Sequence, residues 1–106
     1  MKAAAALADP TRRRILELLA VDELDAGDIA SRFAISRPGV SRHLRVLRES
    51  GLVRVRPDGQ RRLYSLDPRP LVELDAWLER YRGFWTNRLD ALETELRRGR
   101  RRKERT

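Results

Sequence analysis

The sequence predicts a mainly α-helical domain that carries one small β-hairpin. Between residues 10 and 50, apolar residues repeat at helical spacing, and capping residues stand before each repeat. After Gly51 the repeat changes to alternation, and the Asp58-Gly59 pair is typical of a hairpin turn. Helical spacing then returns over one long C-terminal segment. The 106 residues fit one domain, which we expect to span residues 1–98, with a disordered basic tail over residues 99–106.

The first long helix is expected to begin at Asp9-Pro10. An aspartate side chain accepts hydrogen bonds from the free N–H groups of a helix start, and proline is favoured in the first turn. Ile15 and Leu19 follow at helical spacing, and we expect this helix to end near Ala20. A shorter helix over residues 2–8 is expected to precede it.

Two short helices follow, joined by a tight turn. Asp25 is expected to cap the first of them, with Asp28 in the capping-box position, and this helix is expected to stop near Ala34. Ser36 is expected to cap the second, whose outward positions are rich in arginine. The apolar face of the second helix consists of Val40, Leu44 and Leu47.

Gly51 is expected to end the second short helix, because glycine is favoured just past a helix C-terminus. Residues 52–55 alternate in part between apolar side chains and arginine, which indicates a β-strand. Residues 57–60 (PDGQ) form the predicted turn, and residues 63–66 belong to the second strand. The hairpin therefore has basic flanks and a basic tip.

Asp67-Pro68 is expected to start the final helix. Its apolar residues recur at steps of three and four, close to the heptad spacing by which helices pair. At about 1.5 Å per residue, such a helix is longer than the width of so small a domain and extends beyond it. This favours contact with a second copy of the chain. Two alternatives are that the apolar residues cover only their own domain and that Trp77, Phe84 and Trp85 line a ligand pocket. The apolar positions are Leu71, Leu74, Leu78, Tyr81, Trp85, Leu89, Leu92 and Leu96.

Positive charge is segregated along the chain. The formal net charge is +8, and 22 of the 24 basic residues are arginine. Residues 36–62 carry a net charge of +6 and residues 97–106 another +6, whereas residues 1–35 and 63–96 are net acidic. An arginine excess from codon usage alone would be spread more evenly, so this distribution favours a polyanionic partner. The terminal run either strengthens the binding of such a partner without specificity or serves only as a solvated tail.

A short helix, a tight turn, an arginine-rich helix and a basic hairpin follow one another in the order of a winged helix-turn-helix. The major groove of double-stranded DNA admits one helix, whose N-terminal residues meet base edges, and a basic hairpin can lie along phosphates. The sequence therefore predicts about five helices plus a two-stranded wing, and sequence-specific DNA binding in transcription regulation. The candidate DNA contacts are Ser36, Arg37, Pro38, Gly39, Ser41, Arg42, His43, Arg45, Arg56, Arg61 and Arg62.

Other functional classes have less support from the residues. A winged-helix module for protein contacts would tend to present an acidic or apolar face, and a protein that binds DNA without sequence preference would need only the charge. No Ser/His/Asp set, metal-ligand spacing or glycine-rich phosphate loop is present, so we do not expect an enzyme. No apolar stretch approaches the roughly 20 residues of a membrane span. We therefore expect no membrane partner and a cytoplasmic location, on the nucleoid when bound to DNA.

Four segments in this order resemble the ArsR (SmtB-like) family of winged-helix regulators. Residues 6–16 (ALADPTRRRIL) resemble the opening of those proteins, and residues 36–47 (SRPGVSRHLRVL) resemble their recognition helix. Residues 51–53 (GLV) and 62–66 (RLYSL) are similar to their wing. The final helix, with Phe84-Trp85, is similar to that of the branch that does not sense metals. The resemblance covers most of the chain.

The resemblance implies a homodimeric repressor whose first and last helices form the interface. It also implies a palindromic operator, bound near the start of an operon and later released, and repression of its own gene. The signal stays open at this point: a small molecule, a protein partner, or only the concentration of the chain itself. The implied interface residues are Leu7, Leu71, Leu74, Leu78, Tyr81, Trp85, Leu89 and Leu92.

The chain departs from the family pattern in its metal ligands and at two small residues. Metal-sensing members use cysteine pairs or histidine and aspartate on the last helix, but this chain has no cysteine and no histidine after His43. We therefore expect no metal and no cofactor. Ala34 stands where the turn usually has glycine, at a cost on the order of 1 kcal/mol if that position requires a positive φ. Gly39 replaces the usual alanine, and it either weakens the helix by roughly 1 kcal/mol or permits a closer approach to DNA.

Overall fold

The computed structural model describes the backbone of residues 2–105 and the side chains of residues 2–100. Five helices and one two-stranded antiparallel sheet make up this part of the chain, so the predicted fold class is confirmed. The residues fall into two compact units that divide between Leu74 and Asp75. No described helix is long and apolar enough to cross a membrane. The elements are α1 (Lys2–Leu7), α2 (Pro10–Leu19), α3 (Ala26–Arg32), α4 (Arg37–Glu49), β1 (Val53–Asp58), β2 (Arg61–Leu66) and α5 (Arg69–Arg105).

Aspartate side chains cap the N-termini of α2 and α3, as predicted. Asp9 Oδ1 accepts hydrogen bonds from the backbone N–H groups of Thr11 and Arg12, at 2.8 and 3.2 Å. In α3 the Asp25 side chain accepts from the Asp28 N–H, and the Asp28 side chain accepts from the Asp25 N–H, which completes the capping box. Each cap satisfies N–H groups that have no partner inside the helix, and this fixes where the two helices begin.

The turn between α3 and α4 differs slightly from the expectation. α3 ends at Arg32, shortly before the expected stop near Ala34, because Phe33 already has an extended backbone with φ −126° and ψ 153°. Among the described residues, no residue other than glycine has a positive φ. Ala34 is therefore free of left-handed strain, and the cost considered for alanine at this position does not arise.

α4 ends in a Schellman motif around Gly51. Gly51 has φ +79°, its N–H donates to the Arg48 carbonyl at 3.0 Å, and the Leu52 N–H donates to the Leu47 carbonyl at 3.0 Å. These bonds satisfy carbonyl groups of the last turn and lead the chain into β1, as the glycine predicted. Leu52 is fully buried, so the entry to the hairpin is anchored in the core.

β1 and β2 form the predicted antiparallel hairpin, but its turn lies one residue later than predicted. The connecting residues are Gly59 and Gln60, whereas Pro57 and Asp58 belong to β1. Gly59 has φ +61° and Gln60 does not have a positive φ, which fits a type II′ turn with glycine at the first central position.

Leu24 extends the hairpin by one antiparallel bridge. Its N–H donates to the Tyr64 carbonyl at 3.1 Å, and its carbonyl accepts from the Tyr64 N–H at 2.8 Å. The segment between α2 and α3 is thereby tied to β2. The wing is held against the helix-turn-helix by backbone hydrogen bonds as well as by its own strand pairing.

The core of the first unit lies beneath α4. Val40, Leu44 and Leu47 are at most 1% exposed and share one apolar cluster with Ile15 of α2 and Ile29 of α3. Full burial of a side chain of this size contributes roughly 1.5–3 kcal/mol. These residues fix the rotation of α4 about its axis, so its opposite face is turned outward.

A buried carboxylate joins the base of the wing to the start of α5. Asp67 is 3% exposed, and its Oδ2 accepts from Arg54 Nε at 2.9 Å and from Arg69 Nη2 at 2.7 Å. Its backbone N–H donates to the Leu52 carbonyl at 2.8 Å. Hydrogen bonds from Arg69, and then from Arg54, hold the pKa of the Asp67 carboxyl well below its ordinary value.

Replacing Asp67 with asparagine is expected to destabilise the chain at pH 7 and to flatten its acid dependence. The folded pKa of Asp67 lies below the unfolded value of about 3.9. The contribution of the ionised Asp67 carboxylate to the free energy of unfolding is therefore fully present above about pH 3.9, the unfolded pKa. It is lost as the pH falls through the lower pKa of the folded state. Urea denaturation at pH 7 and pH 2 should show that the difference in free energy of unfolding between the wild type and Asp67→Asn is smaller at pH 2.

Asp75→Asn is the matched control for that measurement. The Asp75 side chain is 70% exposed and pairs with Arg82 at the surface, so its replacement should change stability little at either pH. An equal loss of stability for Asp67→Asn at both pH values would show that its charge is not what stabilises the junction.

The second unit consists of the remainder of α5 from Asp75 onward. Ion pairs at helical spacing, Arg82 with Glu79 and Arg97 with Glu93, line its surface. α5 continues to Arg105, and Thr106 lies outside the described residues. The boundary after residue 98 and the disordered tail over residues 99–106 stay predictions.

Candidate nucleic-acid interface

The two sides of α4 differ in chemistry. Its apolar side is buried in the core described above, and its other side is open to solvent. Gly39 and His43 are half-buried at the edge of the open side. A recognition helix presents its first turns to base edges, and the open side carries Arg37 and Arg42 there, with Arg45 and Arg48 farther along. The exposed predicted contacts on α4 and its N-cap are Ser36, Arg37, Pro38, Ser41, Arg42 and Arg45.

Clefts flank the open side of α4. In one cleft, Arg37 of α4 lies opposite Gln60 and Arg62 at the tip of the hairpin. In the other, Arg42 and His43 share a concave surface with Arg12 of α2. The fold thus brings predicted contacts of the helix and of the wing to one surface. Guanidinium groups in such clefts match the planar, bidentate geometry of phosphate oxygens.

Gly39 is packed against the side chain of Ile35. A Cβ atom at position 39 would lie 2.8 Å from Ile35 Cγ2 and 3.3 Å from Ser36 Oγ. Ser36 Oγ also accepts a hydrogen bond from the Gly39 N–H at 3.2 Å, which completes the N-cap of α4. Glycine at position 39 therefore makes room for Ile35. This packing role differs from the two interpretations that the sequence suggested, a weaker helix and a closer approach to DNA.

Alanine at position 39 is expected to destabilise the chain, although alanine favours a helix by roughly 1 kcal/mol over glycine. Ile35 is β-branched and stiff about χ1, so its Cγ2 atom does not swing away without strain. In an Ile35→Ala background the 2.8 Å contact with Ile35 Cγ2 is absent and only the milder 3.3 Å contact with Ser36 Oγ remains. Gly39→Ala should then raise the free energy of unfolding by up to about 1 kcal/mol. Denaturation of the four proteins measures both effects. The same sign in both backgrounds would contradict the packing argument.

Two predicted wing contacts form ion pairs with carboxylates that lie just before α3 or in its first turn. Arg56 Nε lies 2.7 Å from one carboxylate oxygen of Glu23, and its Nη2 lies 3.3 Å from the other. Arg61 Nε donates to Asp25 at 3.1 Å, and its Nη2 donates to Asp28 at 3.0 Å. These pairs raise the pKa of both guanidinium groups, through Glu23 for Arg56 and chiefly through Asp25 for Arg61. Both guanidinium groups are therefore partly exposed but already paired with carboxylates.

Arg62 is the wing arginine for which no carboxylate lies within ion-pair distance among the described residues. It is exposed and shares the cleft with Arg37, so its geometry suits a phosphate best. Sequence reasoning missed the carboxylates because they lie 33 and 36 residues before their arginines. The one available signal was the net acidic charge of residues 1–35.

No metal-binding cluster is found in the part of the chain that the structure describes. No three side chains of His, Cys, Asp or Glu come together there in a way that could hold an ion. The whole chain has no cysteine and one histidine, and that residue, His43, lies on α4 beside Arg42.

The predicted dimer contacts of the first unit lie at the edge of its core. Leu7 of α1 and Leu71 of α5 are half-buried and pack against the buried cluster. Leu74 is also half-buried, whereas Val72, which was not among the predicted contacts, is 65% exposed. Part of this apolar surface remains uncovered by the unit itself.

The predicted dimer contacts of the second unit are largely open to solvent. Tyr81, Leu89 and Leu92 are 46, 60 and 52% exposed, and Leu78 and Trp85 are half-buried. Three further large apolar residues of this unit are exposed as well. They are Trp77, Leu96 and Phe84, whose ring centre lies 4.0 Å from the Arg88 guanidinium.

Comparison with known proteins agrees with this architecture. The family model described as bacterial regulatory protein, arsR family, matches residues 9–55. The HTH-type transcriptional regulator Rv2034 of Mycobacterium tuberculosis is 50% identical over 84 residues, or 79% of this chain and 76% of that protein. The transcriptional repressor SdpR of Bacillus subtilis is 41% identical over 73 residues, or 69% of this chain and 81% of that protein.

A solved structure shows the same fold. The homodimeric winged helix-turn-helix DNA-binding domain of Mb0332 from Mycobacterium bovis matches with a TM-score of 0.63 and 31% sequence identity. The match covers 74% of this chain and 72% of that one.

A helix-turn-helix with an arginine-rich outer helix and an adjoining basic hairpin defines a winged-helix transcriptional regulator, not an enzyme. The chain belongs to the arsR family of bacterial regulatory proteins. The resemblance seen in residues 6–16, 36–47, 51–53 and 62–66 is thereby confirmed.

Proposed function

We propose that the chain acts as a homodimeric repressor that inserts α4 into the major groove of a palindromic operator. The observation that carries this proposal is the arginine side of α4, which the buried core turns outward and the hairpin tip adjoins. Arg37 and Arg42 stand in the first half of the helix, where base edges come within reach. A guanidinium group that pairs with guanine contributes about 1–3 kcal/mol of discrimination.

The remaining polar groups of the surface suit the DNA backbone. Ser36, Ser41 and Arg45 are exposed on the same helix, and Arg62 lies across the cleft from Arg37. Contacts of this kind fix the register and orientation of a protein on the duplex without reading its sequence. The base-reading and positioning groups are thus supplied by two elements held rigidly to one core.

Dimerisation is supported by the exposed apolar residues of α5. They recur along one helix of the second unit and are exposed there. A single helix gains most of its stability from packing rather than from propensity. The M. bovis structure is described as homodimeric, which favours a second copy as the partner. A two-fold dimer places two recognition helices one DNA turn apart, so the proposed operator is palindromic.

The proposed mode of regulation and the proposed cellular location both follow from DNA as the partner. SdpR is named a repressor, which supports repression, here of the chain's own gene. Binding to the chromosome requires a cytoplasmic, nucleoid-associated location. In this proposal a small-molecule or protein effector would act by favouring a dimer whose helices no longer fit successive major grooves.

Fluorescence anisotropy tests this function with the duplex found upstream of the chain's own gene and a scrambled duplex of equal composition. Each is titrated at several salt concentrations, with the full chain and with a chain that lacks residues 97–106. Tight binding to the native duplex alone, retained without those residues, is the expected result. It would assign specific binding to residues 36–62.

Non-specific DNA binding is the second candidate, and the net charge of +6 on residues 97–106 favours it. It predicts equal affinity for both duplexes, lost at higher salt or when residues 97–106 are removed. That outcome would contradict autoregulation and leave a basic protein without sequence preference for this DNA.

A further inference from the structure

Three carboxylates stand beside the surface that the proposed function turns toward DNA. Glu23, Asp25 and Asp28 lie just before or within the first turn of α3 and are 40, 27 and 42% exposed. Asp25 lines the same cleft as Arg37 and Arg62. Because like charges repel, carboxylates at this place oppose the approach of a phosphate backbone. Their role is therefore not to bind DNA directly.

We infer that these carboxylates form an electrostatic latch that holds Arg56 and Arg61 in the DNA-free protein. On binding, DNA phosphates take over the two guanidinium groups. This inference rests on the proposed function, because it concerns how the same surface engages DNA. The latch consists of the pairs Arg56–Glu23, Arg61–Asp25 and Arg61–Asp28.

The exchange is feasible because the latch is only partly shielded from water. The Arg56 and Arg61 side chains are 56 and 54% exposed, and exposed ion pairs of this kind are weak and screened by salt. A phosphate offers the same planar pair of acceptor oxygens to a guanidinium group as a carboxylate does. Either arginine can thus change partner without leaving the wing.

The latch has a consequence for the overall affinity for DNA. While it is closed, Arg62 is, among the described residues, the wing arginine without a carboxylate partner, and the energy of the ion pairs must be given up before Arg56 and Arg61 can bind any duplex. Phosphate contacts carry no sequence information, so the latch lowers the affinity for all duplexes by the same factor. Opening the latch should therefore strengthen binding to every duplex and not only to the operator.

The test uses the full chain and two variants that each remove one latch charge, Glu23→Gln and Asp28→Asn. Anisotropy titrations on the operator and on a scrambled duplex should give affinities raised roughly threefold on both. Because the bound complex contains the same phosphate contacts with and without the latch, the slope of log affinity against log salt should change by less than about 0.9, the amount that one additional phosphate contact would add. Glu23→Gln is the sharper variant, because Asp28 also takes part in the capping box of α3.

Asp22→Asn is the matched control, since it removes the same charge from an exposed neighbour for which no ion pair is found among the described residues. The Arg56→Ala background is the second control, and in it Glu23→Gln should change the affinity no more than Asp22→Asn does, because only the general charge repulsion remains. The latch is overturned if Glu23→Gln matches Asp22→Asn, keeps its effect without Arg56, or weakens binding. A wild-type chain that binds neither duplex would instead contradict the proposed function itself.

Discussion

Replacing Trp85 with aspartate is expected to turn the dimer into a monomer and to weaken operator binding more than about a hundredfold. Trp85 is half-buried in the second unit, and Tyr81 and Leu89, one helical turn away on either side, are 46 and 60% exposed. A carboxylate at the centre of this apolar strip would have to be desolvated without a partner. A monomer keeps one recognition helix and makes half of the contacts that select the operator.

Sedimentation equilibrium at several concentrations measures the oligomeric state of Trp85→Asp, and anisotropy measures its operator affinity. Thr86→Asp is the control, because it adds the same charge at the next, exposed position of the helix. It should remain dimeric and bind the operator. A Trp85→Asp protein that still sediments as a dimer would remove Trp85 from the interface. A monomer with wild-type affinity would remove dimerisation from the mechanism.

Features that depend on neighbouring residues could be predicted from the sequence. Asp9 and Ser36 cap the helices that they precede, and Gly51 ends α4, because a cap acts within three or four residues. The apolar spacing of α4 also predicts which side is buried. The candidate DNA contacts on α4 follow from that rotation, so the part of the site on this helix was accessible from local pattern alone.

Features that depend on residues far apart could not be predicted in the same way. Arg56 and Arg61 pair with carboxylates in the segment just before α3, and nothing within the wing sequence signals those partners. The turn falls on Gly59-Gln60 instead of Asp58-Gly59, because glycine satisfies the first position of a II′ turn as well as the second position of a I′ turn. Local residue types thus allowed two registers, and strand pairing selected one.

Arg42→Ala is expected to lower operator affinity roughly 30-fold or more and to reduce the preference for the operator over scrambled DNA. Arg42 is exposed on the open side of α4. An arginine that pairs with guanine contributes about 1–3 kcal/mol, and a two-fold dimer loses that contribution in both half-sites, about 2–6 kcal/mol in total. Anisotropy on the two duplexes measures the loss and its dependence on sequence.

Arg48→Ala separates base reading from charge. Arg48 is exposed in the last turn of α4. Its replacement should lower the affinity for both duplexes modestly and by the same factor. An equal loss on both duplexes for Arg42→Ala would assign Arg42 to phosphate. Unchanged affinity in both Arg42→Ala and Arg37→Ala would move the reading surface away from the first half of α4. Because these side chains are exposed, thermal stability should stay constant, and any loss of affinity then reports a missing contact with DNA rather than a change in folding.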